Sequence, residues 1–175
     1  MSVVRATVNV SDTLSRSPGD GVDWPLLLGS VVLCQLAGVV PAILTAEDVA
    51  TWYPTLAQPS FTPPDWVFGP VWTVLYLLMG VSLYLVYRSD GGQTRRLALA
   101  AFGVQLVFNA SWTLVFFGAH AIFGGLVVIL ALLGAILATV GLFVRIDRRA
   151  AALLVPYLLW VGYATALTYA FWQLN

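Results

Sequence analysis

The chain has 175 residues, of which 60% are apolar and 9% charged. Its mean hydropathy of +0.89 is more than a water-soluble domain of this size can carry, so it is read as a membrane protein. Eight arginines, no lysine and eight acidic residues cancel to zero formal charge, and there is a single cysteine. Nucleic-acid binding, an internal disulfide and a zinc or iron–sulfur site are thereby excluded.

Residues 1–24 read as a polar cytoplasmic tail rich in Ser, Asp and Gly. Asp20 and Asp23, rather than basic residues, precede the first apolar run, a poor match to a signal peptide, so that run is kept as a span. Crossing the ~30 Å hydrocarbon layer takes roughly 20 apolar residues in a helix. Five segments meet that length, at 25–45, 66–87, 97–117, 122–144 and 151–172, and predict an all-α integral membrane protein, a five-transmembrane-helix bundle.

Span one carries Cys34 and Gln35, read as a small packing residue and an interhelical hydrogen bond. The loop at 46–65 contains Trp52, Tyr53 and Phe61 and is stiffened by Pro54, Pro59, Pro63 and Pro64. Its length and aromatic content fit a lid over the mouth of the bundle better than a passive connector. Thr62, followed by two prolines and Asp65, reads as the cap and first turn of span two.

Span two places Trp72, Tyr76, Met79 and Leu83 on one helical stripe. Span three does the same with Gln105, Asn109, Trp112 and Phe116. A stripe with two carboxamides is costly to face toward lipid. It fits either an interhelical hydrogen bond beside a packed tryptophan or an amide and an indole N–H aimed into a cavity. His120, in the tight turn before span four, reads as a solvated interfacial side chain rather than a haem ligand.

On span four, Ala131, Ala135 and Ala138 form a small-residue stripe that permits close approach by another helix, in this bundle or in a second copy. Span five contributes Tyr157, Trp160, Ala164, Leu167 and Phe171. Aromatic stripes commonly fill helix interfaces, and Trp24, Trp66 and Trp172 suit a headgroup belt. Trp72, Trp112 and Trp160 lie deeper, and three mid-helix indoles from three helices exceed what packing alone requires.

All the arginines fall on one side of this topology, and Glu47, Asp48, Asp65 and His120 on the other. The positive-inside rule then puts the N-terminus in the cytoplasm and the C-terminus outside. The span interiors hold no Asp, Glu, Lys, Arg or His, which argues against ion-coupled pumping. The odd span number, without internal echo, argues against rocking repeats. No hydrolase or metalloenzyme motif is present, so no catalytic residue is assigned.

Three blocks carry a family likeness: WYPTLAQPSFTPPDWVFGPVWTVLYLLMGVSLYLVY at 52–87, FNASWTLVFFGAH at 108–120 and PYLLWVGYATALTYAFWQLN at 156–175. The chain resembles the TspO/MBR family of tryptophan-rich sensory and translocator proteins, also called peripheral benzodiazepine receptors. The resemblance implies a commonly dimeric five-helix bundle whose cavity, closed on one side by the first loop, takes porphyrins such as protoporphyrin IX or haem, and in animal members cholesterol and synthetic drugs. It places the cavity tryptophan at Trp72, the N-x-x-W pair at Asn109 and Trp112, and the W-x-x-x-A pair at Trp160 and Ala164. With Tyr76 and Phe116 from the stripes and Trp52 and Phe61 from the loop, these are the candidate ligand-binding and lid residues.

Phe61 stands where many members have tryptophan, Leu167-Thr168-Tyr169 replaces an L-N-Y, and the basic residue of a cholesterol-recognition pattern is missing around Gln173-Leu174-Asn175. The resemblance implies a receptor or sensor of tetrapyrroles, with a role in porphyrin transport or in regulation linked to stress, light or oxygen. The alternatives are light- or oxygen-dependent porphyrin degradation and passive transport of small hydrophobic ligands.

Overall fold

The computed structural model describes residues 21–175. The tail up to residue 20, with Arg5 and Arg16, lies outside the described residues. The first membrane helix, α1 (Trp24–Leu44), starts where the Asp23 carboxylate accepts the Leu26 N–H at 3.1 Å, with proline in its first turn. It runs on through Pro41. The Thr45 hydroxyl donates to the Pro41 carbonyl at 3.0 Å at the helix end.

The segment expected as loop begins as a short helix, α2 (Ala46–Thr51), followed by a 3-10 turn at Tyr53–Thr55. A second 3-10 turn, Asp65–Val67, leads into α3 (Phe68–Arg88). Thr62 does not cap this helix, contrary to the sequence expectation. Its hydroxyl donates to the Pro59 carbonyl at 2.8 Å, and the residue entering the 3-10 turn is Pro64, which offers no side-chain acceptor. A tight turn within the proline-rich segment has captured the threonine.

The third span, α4 (Gly92–Thr113), starts at Gly92 rather than at Leu97. Arg95, in its first turns, reaches back to donate to the carbonyls of Tyr87 at 3.2 Å and Ser89 at 2.9 Å. The charged turn thus remains helical at the interface while its guanidinium neutralises the end of α3. The helix closes in a π turn, Leu114–Gly118. A turn through His120, at φ +54°, then starts α5 (Ile122–Val144). The last span is broken at Leu154 into α6 (Arg148–Leu153), capped by Asp147, and α7 (Val155–Leu174).

Around the bundle the spans follow the order α1, α3, α7, α5, α4, closing back on α1. Among the described residues, five helical segments are long and apolar enough to cross a membrane: Trp24–Leu44, Asp65–Arg88, Gly92–Gly118, Ile122–Val144 and Arg148–Leu174. Arg88, Arg95, Arg96, Arg145, Arg148 and Arg149 share one end of the bundle, and the 46–65 segment crosses the other.

The main core holds Met79, Phe102, Ile129, Leu132, Ile136, Phe143 and Tyr157. A second, aromatic cluster under the lid holds Tyr53, Phe116, Leu167 and Phe171. Gly80 lets α1 and α3 touch backbone to backbone, since a methyl group there would lie 2.5 Å from Val31 Cα.

A lidded aromatic cavity between α1, α3, α4 and α7

Toward the lid end the bundle fails to fill its own centre, leaving a cavity of about 550 Å³. That is inside the ~300–1,000 Å³ range of small-molecule sites. Gln35, Gly38, Val39, Ala42 and Thr45 of α1 form one wall, and Phe68, Gly69, Trp72, Thr73 and Tyr76 of α3 the next. The end of α4 supplies Trp112, Thr113, Phe116 and Phe117, while α7 supplies Ala164, Leu167, Thr168 and Phe171. Ala46, Val49, Tyr53 and Asp65 of the lid close it, and α5 contributes nothing.

Aromatic rings hold the walls in place. Trp72 stacks on Tyr76 with ring centroids 5.3 Å apart, and Trp112 on Phe116 at 5.5 Å. Phe116 meets Trp52 of the lid and Phe171 of α7 edge-on, each at 6.0 Å. Such pairs prefer these offset and T-shaped arrangements because ring edges are positive and faces negative.

Behind the aromatic wall runs a buried polar string. The Tyr76 hydroxyl donates to Asn109 Oδ1. Asn109 Nδ2 donates to the Tyr157 hydroxyl at 3.1 Å, and that hydroxyl donates to Gln105 Oε1 at 2.8 Å. Gln105, Asn109 and Tyr157 are all buried. Among the described residues, Gln105 Nε2 and the indole nitrogens of Trp112 and Trp160 are enclosed without a partner.

The lid is fastened at three places. His120 Nε2 lies 2.8 Å from Asp48 Oδ1, and Trp52 stacks on the imidazole at 4.4 Å with 11° between planes. The Tyr163 hydroxyl donates to the Phe61 carbonyl at 2.7 Å. The Asn175 carboxamide pairs with the Ala57 backbone through two bonds, at 2.9 and 3.1 Å. Burial, assisted by the nearby Asp65 carboxylate and the Tyr163 phenol, pushes the Tyr53 hydroxyl up to about 12, so it remains a proton donor at any physiological pH.

A family model for the TspO/MBR family matches residues 30–173. The chain belongs to the TspO/MBR family. It is 38% identical to the tryptophan-rich protein TspO of Archaeoglobus fulgidus over 149 residues, 85% of this chain and 96% of that one. It is 37% identical to the tryptophan-rich sensory protein of Cereibacter sphaeroides over 155 residues, 88% of this chain and 94% of that one. To the human translocator protein it is 36% identical over 154 residues, 87% of this chain and 91% of that one.

In this TspO/MBR chain, Trp72, Tyr76, Trp112, Phe116 and Ala164 line the cavity together. Asn109 stands one residue behind the wall, bonded to Tyr76. Trp160 lies off the cavity, against Phe68 at 6.0 Å and Tyr163 at 5.6 Å on the α3–α7 seam. Two indoles rather than three therefore meet the void. Trp52 reaches it only through Phe116, and Phe61 is 48% exposed on the outer face of the lid beside Tyr163.

Tyr53, read from sequence only as a lid aromatic, and Asp65, read only as a helix-start acid, line the cavity, as do Phe68 and Thr168, which the sequence reading did not propose for the site. Thr168 and Phe171 follow Ala164 at offsets of 4 and 7, a helical spacing that does point to them. No periodicity reaches Tyr53 or Asp65, each of which opens a 3-10 turn too short to show one.

Proposed function

We propose that this TspO/MBR membrane protein is a receptor or sensor that takes a tetrapyrrole, protoporphyrin IX or haem, into the cavity beneath the 46–65 lid, with a role in porphyrin transport or in regulation linked to stress, light or oxygen. The observation that carries this reading is the cavity itself: about 550 Å³, walled by Trp72, Tyr76, Trp112, Phe116 and Phe171. Aromatic faces offer a planar macrocycle stacking surface, and the polar string behind Tyr76 fixes the wall's shape. No histidine, cysteine or methionine is among the lining residues. The aromatic walls address the ring system of such a guest.

The arginine-rich end is assigned to the cytoplasm, with the N-terminus inside and the C-terminus outside. Homodimerisation is assigned to the outer face of α5, where Ala131 and Ala138 are exposed and let a second copy approach closely. Degradation of a bound porphyrin in light is the second reading, favoured by the stacked Trp72–Tyr76 pair on the cavity wall, both rings being oxidisable.

Titration of the purified protein in nanodiscs with protoporphyrin IX, followed by tryptophan fluorescence, tests the binding. Saturable quenching that Trp72→Phe weakens is expected, and quenching that rises without saturation would defeat the reading. Illumination of the complex separates the second reading. New open-chain pigment absorption lost in Trp72→Phe favours degradation, whereas equal bleaching in both proteins removes it.

A further inference from the structure

Four hydroxyls of the cavity wall are already committed as donors, whereas the Trp112 indole N–H is enclosed without a partner. The hydroxyls of Thr45, Thr73 and Thr168 each donate to the carbonyl one turn earlier, at 3.0, 2.9 and 2.8 Å, and that of Tyr76 donates to Asn109. What these groups present to a guest is lone pairs. Among the lining residues there is no cationic side chain and one anionic one, Asp65. Tyr53 lines the cavity close enough to Asp65 to feel its charge. Tyr53 is 8% exposed, and its hydroxyl has no hydrogen-bond partner among the described residues.

We propose that Asp65 and Tyr53 form a specificity element at the cavity mouth that disfavours a carboxylate and favours a flat apolar guest whose polar edge is neutral or cationic. Such an edge gives N–H or O–H donors to Asp65 and an acceptor to the Tyr53 hydroxyl. An anionic edge meets the Asp65 charge with no cation in the wall to offset it. The inference rests on the reading of this cavity as the tetrapyrrole site, and it sharpens that reading: the two propionates of a porphyrin diacid must turn away from Asp65, whereas an esterified or amidated porphyrin has no such restriction. Because Asp65 is exposed, water and salt temper the effect, and a charge at this range is worth about three- to tenfold in affinity.

The test compares protoporphyrin IX with its dimethyl ester on the full chain in nanodiscs of neutral lipid, by tryptophan quenching. The diester-to-diacid affinity ratio is expected to shrink about three- to tenfold in Asp65→Asn and to persist in Asp65→Glu, which keeps the charge. Added salt should shrink the wild-type ratio in the same direction. An Asn variant whose ratio equals that of the wild type, with both porphyrins binding saturably, overturns the specificity element and leaves the cavity as the binding site. Failure of both porphyrins to saturate the wild type removes the binding reading, and this inference with it, whereas saturation by the diacid alone overturns the inference and leaves the binding reading standing.

Discussion

Asn109 does more for the site than its position one layer behind the wall suggests. It is the residue that joins Tyr76 on the cavity to Tyr157 in the core. Replacing it with leucine keeps the volume but strands the Tyr76 hydroxyl in a dry interior, while Tyr157 keeps its bond to Gln105; an unsatisfied polar group there costs about 1–3 kcal/mol. Asn109→Leu is expected to lower the thermal midpoint in detergent accordingly and to weaken porphyrin quenching, because Tyr76 loses the partner that orients it. A variant of unchanged midpoint would mean that the string contributes no stability.

Tyr53 gives a pH signature at the same scale. Its folded-state value is about 12 against an ordinary 10.0, so the folded protein holds the proton more tightly than the unfolded chain does. The stability from this group is complete below pH 10 and is lost as pH rises toward 12. Tyrosinate absorbance during alkaline titration should lose one of its late-titrating phenols in Tyr53→Phe.

Among the helices, glycines separate two kinds of position. In α3, Gly80 faces the Val31 backbone at a distance no Cβ tolerates. Gly80→Ala must therefore push α1 from α3, at a cost of about 1–3 kcal/mol. Gly103 of α4 has nothing within 4 Å of the added methyl, and alanine there is expected to stabilise by about 0.5–1 kcal/mol through helix propensity. Unfolding of the two variants side by side checks the sign of each.

The turn into α5 carries a different tension. His120 holds a left-handed backbone, at φ +54°, that a non-glycine residue adopts at a cost. It is held there by Asp48 and Trp52. Glycine at 120 relieves the backbone yet releases the lid helix, so His120→Gly is expected to speed ligand dissociation severalfold without lowering the thermal midpoint. Stopped-flow displacement of bound porphyrin measures it, and an unchanged off-rate would show that α2 needs no fastening at that point.

For the molecule as a whole, the five spans were legible because a helix that crosses lipid must be apolar for its whole length, and that constraint is written one residue at a time. The inward faces of α3 and α4 were legible for a related reason: carboxamides and aromatics recur at helical spacing. What periodicity does not encode is which inward residues meet empty space. Trp160 and Ala164 share a stripe of α7, yet Phe68 and Tyr163 seal the first away and the second borders the cavity.

The lid was less legible still. Ala46–Thr51 is too short to show a helical period, and Thr62 had a nearer partner than the helix it was expected to cap. Tyr53 and Asp65 come to the cavity because short 3-10 turns carry them there. Their role follows from the path of the chain after folding and not from any local pattern.

Asn175 joins the end of α7 to the lid. Its side-chain amide grips the Ala57 peptide as a neighbouring β-strand would, more than a hundred positions away, so the tightness of the cover is governed from the last turn of α7. Asn175→Asp keeps the acceptor for the Ala57 N–H but loses the donor to its carbonyl, whereas Asn175→Ala removes both bonds. Proteins that differ only at position 175 are therefore expected to differ in how quickly their contents exchange.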